Sequence, residues 1–189
     1  VTEREVEALG ADGWFVREGF AGAAGAASSV RTTTVDWQGA GVSRSGHRDA
    51  AIRGDVHAWV SPGDEAFSAL LAAFEALRLE VNAACWLGLV RFELQLACFD
   101  GGGAAYTRHR DAFAGGPGRR LTAICYLNPS WSSADGGALR LWVTPQVDLS
   151  PLQGRLVVFR SEHVEHEVLP VFATRYAATA WYYGPSSGA

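Results

Sequence analysis

The tripeptide His-Arg-Asp occurs twice in this chain, at His47–Asp49 and at His109–Asp111, each time setting an imidazole and a carboxylate at positions i and i+2. On an extended backbone such positions project to one side, so the pair can reach a single metal ion. Two imidazoles and one carboxylate on one face, with the remaining positions open, form the facial set that holds non-heme Fe(II). The second imidazole must come from another strand, and downstream of Asp111 only His163 and His166 offer one. Spacing leaves both open. Arg175, between Thr174 and Tyr176 at the start of an apolar strand, is the second chemical signal. An arginine inside a barrel needs an anionic partner, which a dicarboxylate ligand supplies through charge-assisted hydrogen bonds. His-Arg-Asp also occurs in protein-kinase catalytic loops, but 189 residues with no lysine and no Asp-Phe-Gly cannot assemble that site.

Composition narrows the chemistry further. All 16 basic residues are arginine, which removes pyridoxal Schiff bases, lysine general bases and lysine-bearing phosphate loops. A net charge of −4 with 19% charged residues makes no field for nucleic acid or for an anionic membrane. No apolar stretch approaches a spanning helix. Glu3, Glu5, Glu7 and Asp12 occupy the region where a signal peptide needs an apolar run, so a cytoplasmic chain is expected. Cys85, Cys98 and Cys125 are widely spaced in apolar surroundings and are expected to be buried thiols, not a disulfide or zinc site.

The elements that must position these groups divide the chain in two. Thr2 and Glu5 form a capping-box pattern before Val6 and Leu9, Trp14 to Val16 suits a short strand, and residues 21–35 are alanine-rich and helical in character. Asp36 to Ala51 reads as a loop or weak hairpin. Phe67, Leu70, Leu71, Phe74, Leu77 and Val81 recur at helical spacing and predict a helix from Asp64 to about Ala84. From Arg91 the period changes: Phe92 to Phe99 alternates before the turn Asp100–Gly103, and β-like runs follow at Leu121–Leu127, Ala138–Val143, Leu156–Phe159, Val168–Phe172 and Tyr176–Tyr183. Short strands at such intervals predict a β-sandwich or barrel carried by one domain over 1–189, with residues 1–85 as mainly helical support and substrate loop and 91–184 as the β core. Trp131, Trp142, Phe159 and Trp181 are expected mostly in the core, with Trp181 facing the pocket.

Several segments together carry a family likeness: IRGD with Trp59 after it (Ile52–Asp55), ELQLACFDGGGAAYTRHRD (Glu93–Asp111), RRLTAICYLNPSW (Arg119–Trp131), GGALRL (Gly136–Leu141) and HEVLPVFATRYAATAWYYG (His166–Gly184). In these the chain resembles the 2-oxoglutarate and Fe(II) dependent prolyl 4-hydroxylases, specifically the subgroup acting on the hypoxia-inducible transcription factor and its bacterial relatives. The resemblance implies a double-stranded β-helix, jelly-roll-like, with N-terminal helices on its outer face. It implies Fe(II), 2-oxoglutarate and O2 as the reacting set, with ascorbate as a candidate reductant. The implied reaction is hydroxylation of C4 of a prolyl residue with release of succinate and CO2.

Carried over residue by residue, the likeness makes His109, Asp111 and His166 the iron ligands, choosing His166 over His163 because His-Glu-Val is the family motif. Arg175 then clamps the far carboxylate of 2-oxoglutarate, Tyr126 adds its hydroxyl, and Thr179 lies in phase to assist. Arg119 matches an arginine near the substrate peptide, Tyr106 and Trp181 match aromatics at the entrance, and Arg53 with Asp55 matches a pair that fixes the loop over the substrate. Phe99 departs from the pattern, standing where the hypoxia enzymes carry a tyrosine, which bears on cosubstrate affinity and not on reaction type. His47 with Asp49 reads as a solvated pair, and His57 and His163 as structural or exposed. The implied partner is a proline-containing protein or peptide. The alternatives are an oxygenase of a small metabolite or free amino acid, and a non-catalytic sensor or binding module.

Overall fold

The structure, a computed structural model, describes residues 1–39, 54–112 and 118–185. Helix α1 (Glu3–Ala11) is capped by Thr2, whose side chain accepts from the Glu5 amide while the Glu5 side chain accepts from the Thr2 amide, satisfying two donors that a helix start otherwise strands. Strand β1 (Trp14–Arg17) follows, then α2 (Ala23–Thr32), which buries Ala23, Ala26, Ala27 and Val30. Strands β2 (Gln38–Gly39) and β3 (Val56–Val60) come next, then a single 3-10 turn and α3 (Ser68–Cys85). Leu70, Phe74, Leu77 and Val81 are the buried stripe of α3, at the predicted spacing.

The remaining strands are β4 (Arg91–Phe99), β5 (Ala104–His109), β6 (Arg119–Tyr126), β7 (Leu139–Leu141), β8 (Val147–Leu149), β9 (Leu156–Arg160), β10 (His166–Val171) and β11 (Arg175–Tyr183). They form a seven-stranded sheet, ordered β1-β9-β6-β11-β4-β3-β2, and a four-stranded sheet, ordered β5-β10-β7-β8. From β4 onward the chain passes repeatedly between the sheets: β4, β6, β9 and β11 join the larger, while β5, β7, β8 and β10 join the smaller. That winding, with antiparallel neighbours throughout, is the expected double-stranded β-helix.

The larger sheet is covered on both faces, and side-chain alternation sorts its residues. On β4, Leu94 and Leu96 pack toward the helices, while Gln95, Ala97 and Phe99 face the space between the sheets. On β11, Ala178, Ala180 and Tyr182 take the helix side, and Arg175, Ala177, Thr179 and Trp181 take the other. The Tyr182 hydroxyl donates to the Phe74 carbonyl at 2.9 Å, tying the sheet to α3. Double-sided burial explains why β6 and β9 read in the sequence as nearly unbroken apolar runs.

Strand β2 lies in the segment read as a loop or weak hairpin, and β3, β5 and β8 escaped the sequence reading. Each of these three is short and mixes polar with apolar residues, so no run of alternation marks it. The strand carrying His109 ends there, and Asp111 stands past its end, not on continuous extended backbone. Trp142 is not a core residue. It is 38% exposed, with the guanidinium groups of Arg108 and Arg140 at 4.2 and 6.0 Å from its ring. Cys125 is buried and Cys85 and Cys98 are half-buried free thiols. Burial pushes Cys98 up to about 11 and Cys125 up to about 12, so both are protonated at neutral pH. Among the described residues, no helix is long and apolar enough to cross a membrane.

Candidate active site

Between the two sheets lies a cavity of about 260 Å³, lined at one end by His109, Asp111 and His166 and at the other by Arg175 and Phe99. That volume suits a small ligand, so a polypeptide would lie across the mouth and insert only one side chain. Strand pairing builds the metal-binding end. β10 pairs with β5 so that His166 stands opposite His109, and their rings are 4.3 Å apart. Asp111 reaches in from beyond β5, placing Oδ1 at 3.6 Å from His109 Nε2 and 3.8 Å from His166 Nε2. One ligand atom from each of the three lies within 4.8 Å of the others.

Backbone carbonyls select the histidine tautomers. His109 Nδ1 lies 2.7 Å from the Thr107 carbonyl and His166 Nδ1 lies 3.3 Å from the Val164 carbonyl. Carbonyls only accept, so Nδ1 carries the proton in each ring and the lone pair is left on Nε2, the atom that faces Asp111. Tyr106 stacks on His109 at 3.9 Å, and Phe159 packs against His166 at 4.6 Å. Burial pushes His166 down to about 4 despite the Asp111 carboxylate, keeping it neutral and available as a ligand. Burial opposes ionisation of Asp111, but His166, His109 and the Thr122 hydroxyl outweigh it and hold its carboxyl below the usual range.

The other oxygen of Asp111 is already engaged. Thr122 Oγ1 donates to Oδ2 at 2.7 Å, and Trp181 Nε1 donates to it at 3.0 Å. Arg119 lies over the Trp181 ring at 4.2 Å and donates from Nε to the Tyr183 hydroxyl at 3.2 Å. Trp59, 49% exposed, packs against Trp181 at 5.8 Å, so an aromatic rim stands beside the triad.

At the opposite end, Arg175 is 2% exposed and Tyr126 is fully buried. Arg175 Nε donates to the Gly137 carbonyl at 2.9 Å, and its guanidinium sits 5.0 Å from the Tyr126 ring and 5.4 Å from the Phe99 ring. Gly137 is required here: its φ is +63°, and a Cβ would stand 3.0 Å from Arg175 Cδ. The Tyr126 hydroxyl is buried, with the Arg175 guanidinium as its polar neighbour and no well-formed hydrogen bond within the protein. Burial pushes it up to about 12, only partly offset by Arg175, so it remains a neutral donor.

Comparison with known proteins agrees with this geometry. Residues 94–183 match the family model described as the 2OG-Fe(II) oxygenase superfamily. The crystal structure of a prolyl-4-hydroxylase from Pseudomonas putida is 34% identical, covers 97% of this chain and 98% of that one, and superposes with a TM-score of 0.85. The chain belongs to the 2OG-Fe(II) oxygenase superfamily. A prolyl hydroxylase from Trichoplax adhaerens, in complex with a hypoxia inducible factor oxygen degradation domain peptide fragment, is 29% identical over 95% of this chain and 87% of that one, with a TM-score of 0.82. The human prolyl hydroxylase EGLN3 is 37% identical over 150 residues, 74% of this chain and 62% of that protein, so the present chain spans less than two thirds of that relative.

The residues of this member of the superfamily fit the groups its family name implies. Two imidazoles with Nε2 turned toward a carboxylate converge as a ferrous ion requires, and a buried phenol beside a buried guanidinium suits the far carboxylate of 2-oxoglutarate. Of the residues singled out in the sequence, His109, Asp111, His166, Arg175, Thr179, Arg119, Tyr106, Trp181 and Asp55 all line the one cavity. Tyr126 adjoins it through Arg175. His163 is exposed, outside the cavity, in the turn where its amide donates to the Arg160 carbonyl. His57 lines the cavity, edge-on to Trp59. Asp55 is 2% exposed; burial pushes Arg175 below its ordinary value, and Tyr126 and Asp55 offset that only in part. Arg53 and the His47–Asp49 pair lie outside the described residues. Thr122 and Ser161 were not anticipated: they are distant in sequence from the triad and resemble any hydroxyl in a strand.

Proposed function

We propose that this chain is a 2-oxoglutarate and Fe(II) dependent dioxygenase that hydroxylates prolyl residues in a protein or peptide. The observation that carries the reading is the joining, in one small cavity, of the His109, Asp111 and His166 triad to the Arg175 and Tyr126 cradle. Bound Fe(II), 2-oxoglutarate and O2 supply the oxidation, in which a prolyl C4–H becomes C–OH while 2-oxoglutarate becomes succinate and CO2. The chain's own residues position, select and exclude. His109, Asp111 and His166 hold the metal, and the carbonyls of Thr107 and Val164 keep both rings in the ligating tautomer. Arg175 and Tyr126 hold the far carboxylate, with Thr179 beside them on the same face of β11. Phe99 supplies an apolar wall beside the guanidinium.

The substrate assignment rests on the rim. Trp181, Tyr106 and Arg119 line a cavity of about 260 Å³, a volume that favours one extended segment inserting a single ring. The similarity to prolyl hydroxylases from Pseudomonas putida and Trichoplax adhaerens supports proline as that ring. The test is to incubate the protein with Fe(II), 2-oxoglutarate and a dialysed cell lysate, then search peptides for prolyl residues heavier by one oxygen atom. Such peptides should form with wild type and not with Asp111→Ala. Oxygen gained only by small molecules would overturn the protein substrate, and no succinate under any condition would overturn the enzyme.

A further inference from the structure

Thr122 and Ser161 are each fully buried, on β6 and at the end of β9, in a part of the barrel otherwise filled by apolar side chains. Their hydroxyl oxygens are 2.9 Å apart, and the Thr122 hydroxyl donates a hydrogen bond to Asp111 Oδ2 at 2.7 Å. Because Thr122 Oγ1 has one hydrogen and spends it on the carboxylate, Ser161 must be the donor in the bond between the two hydroxyls. The chain of donation is therefore directional, from Ser161 to Thr122 to Asp111. Ser161 also holds the backbone of the same segment, since its carbonyl accepts from the Ala112 amide at 3.2 Å. Asp111 stands beyond the last residue of β5; Arg119 donates to its carbonyl at 3.5 Å, while its carboxylate is oriented by this relay and the Trp181 indole.

Packing does not require these hydroxyls. Valine has the shape of threonine, and a hydroxyl in such a place lowers stability unless it is bonded. We propose that Thr122, backed by Ser161, is a positioning residue for Asp111: with Oδ2 committed to Thr122 and Trp181, only Oδ1 is presented to His109 and His166, so the carboxylate binds metal through one oxygen and leaves the remaining positions open.

The proposal rests on the triad being a metal site, and the experiment separates the two. Metal-free protein is titrated with Mn(II), free ion being followed by electron paramagnetic resonance, and the Co(II) form is examined by visible absorption. Wild type should bind one ion and Asp111→Ala none; a wild type that binds no Mn(II) overturns the metal reading itself. Thr122→Val should raise the Mn(II) Kd about 10–100-fold and change the Co(II) spectrum, while Thr122→Ser, which restores the hydroxyl in a smaller side chain, should recover most of the affinity. Thr122→Val binding as wild type, or Thr122→Ser binding as weakly as Thr122→Val, overturns the positioning role. If Thr122→Val does not fold, Ser161→Ala decides: it should weaken Mn(II) several-fold and shift the Co(II) bands, and no change in either overturns the relay.

Discussion

Replacing Tyr126 by phenylalanine should move stability and cosubstrate affinity in opposite directions. Tyr126 is fully buried, and its hydroxyl makes no well-formed hydrogen bond within the protein. Burying such a group unpaired costs about 1–3 kcal/mol. Phenylalanine keeps the ring that packs against Arg175 at 5.0 Å and removes the oxygen, so the protein without 2-oxoglutarate should gain about 1 kcal/mol. For a domain of this size that is a rise in Tm of about 2–4 °C. With 2-oxoglutarate present the same hydroxyl donates to a carboxylate, a bond contributing about 1.5–3 kcal/mol, and its loss raises the Kd by about 10–100-fold. Thermal unfolding of Mn(II)-loaded protein under anaerobic conditions, with and without 2-oxoglutarate, reads both effects because ligand stabilisation scales with the logarithm of ligand concentration over Kd. The two melting curves should cross over: the variant above wild type without 2-oxoglutarate and below it with saturating ligand. A variant that melts earlier without ligand, or that gains the same ligand-induced shift as wild type, refutes the assignment of this hydroxyl to the cosubstrate.

Three further outcomes follow from the same geometry. Gly137→Ala places a Cβ 3.0 Å from Arg175 Cδ at a φ of +63°, and should cost about 1–3 kcal/mol in denaturant unfolding while raising the KM for 2-oxoglutarate more than it lowers kcat. Phe74→Ala empties a fully buried site between α3 and the larger sheet and should cost about 3–5 kcal/mol, with Mn(II) affinity unchanged in the folded fraction. The bidentate bond from Arg17 holds Glu5 down, from its ordinary 4.5 to about 2; its stabilisation is therefore complete above pH 4.5 and disappears as the pH falls to about 2. Partial exposure of the pair reduces it to about 1 kcal/mol, so Glu5→Gln should be less stable than wild type by that amount near neutrality and equal to it at the acid end, as measured by urea unfolding at each pH.

Much of the site was legible because its chemistry is local in sequence or repeats with strand period. His109 and Asp111 are two residues apart, and Arg175 and Thr179 share one face of β11 by alternation alone. The apolar runs at Leu121–Leu127 and Leu156–Phe159 announced strands covered on both sides. The stripe of α3 announced the helix that covers one of them. Trp142 misled because an indole flanked by strand residues looks like core, and nothing in its neighbours shows that the Arg108 and Arg140 guanidinium groups pack on its ring.

The sequence by itself determined which chemistry is available: arginine as the only permanently charged cation, an imidazole and carboxylate pair at strand spacing, and a β-rich chain to carry them. Tertiary structure decided which groups meet. His166 joins the site, and His163 does not, because the antiparallel register of β10 on β5 sets His166 opposite His109 while His163 is left in the preceding turn. Asp111 is aimed by Thr122 and Trp181, on strands that reach it only through the winding of the barrel. The Tyr126 hydroxyl is buried beside Arg175 only because β6 and β11 pair in the folded sheet. Residue type and spacing are properties of the chain, but register, burial and the second partner of a hydrogen bond are properties of strands that are distant in sequence and adjacent in space.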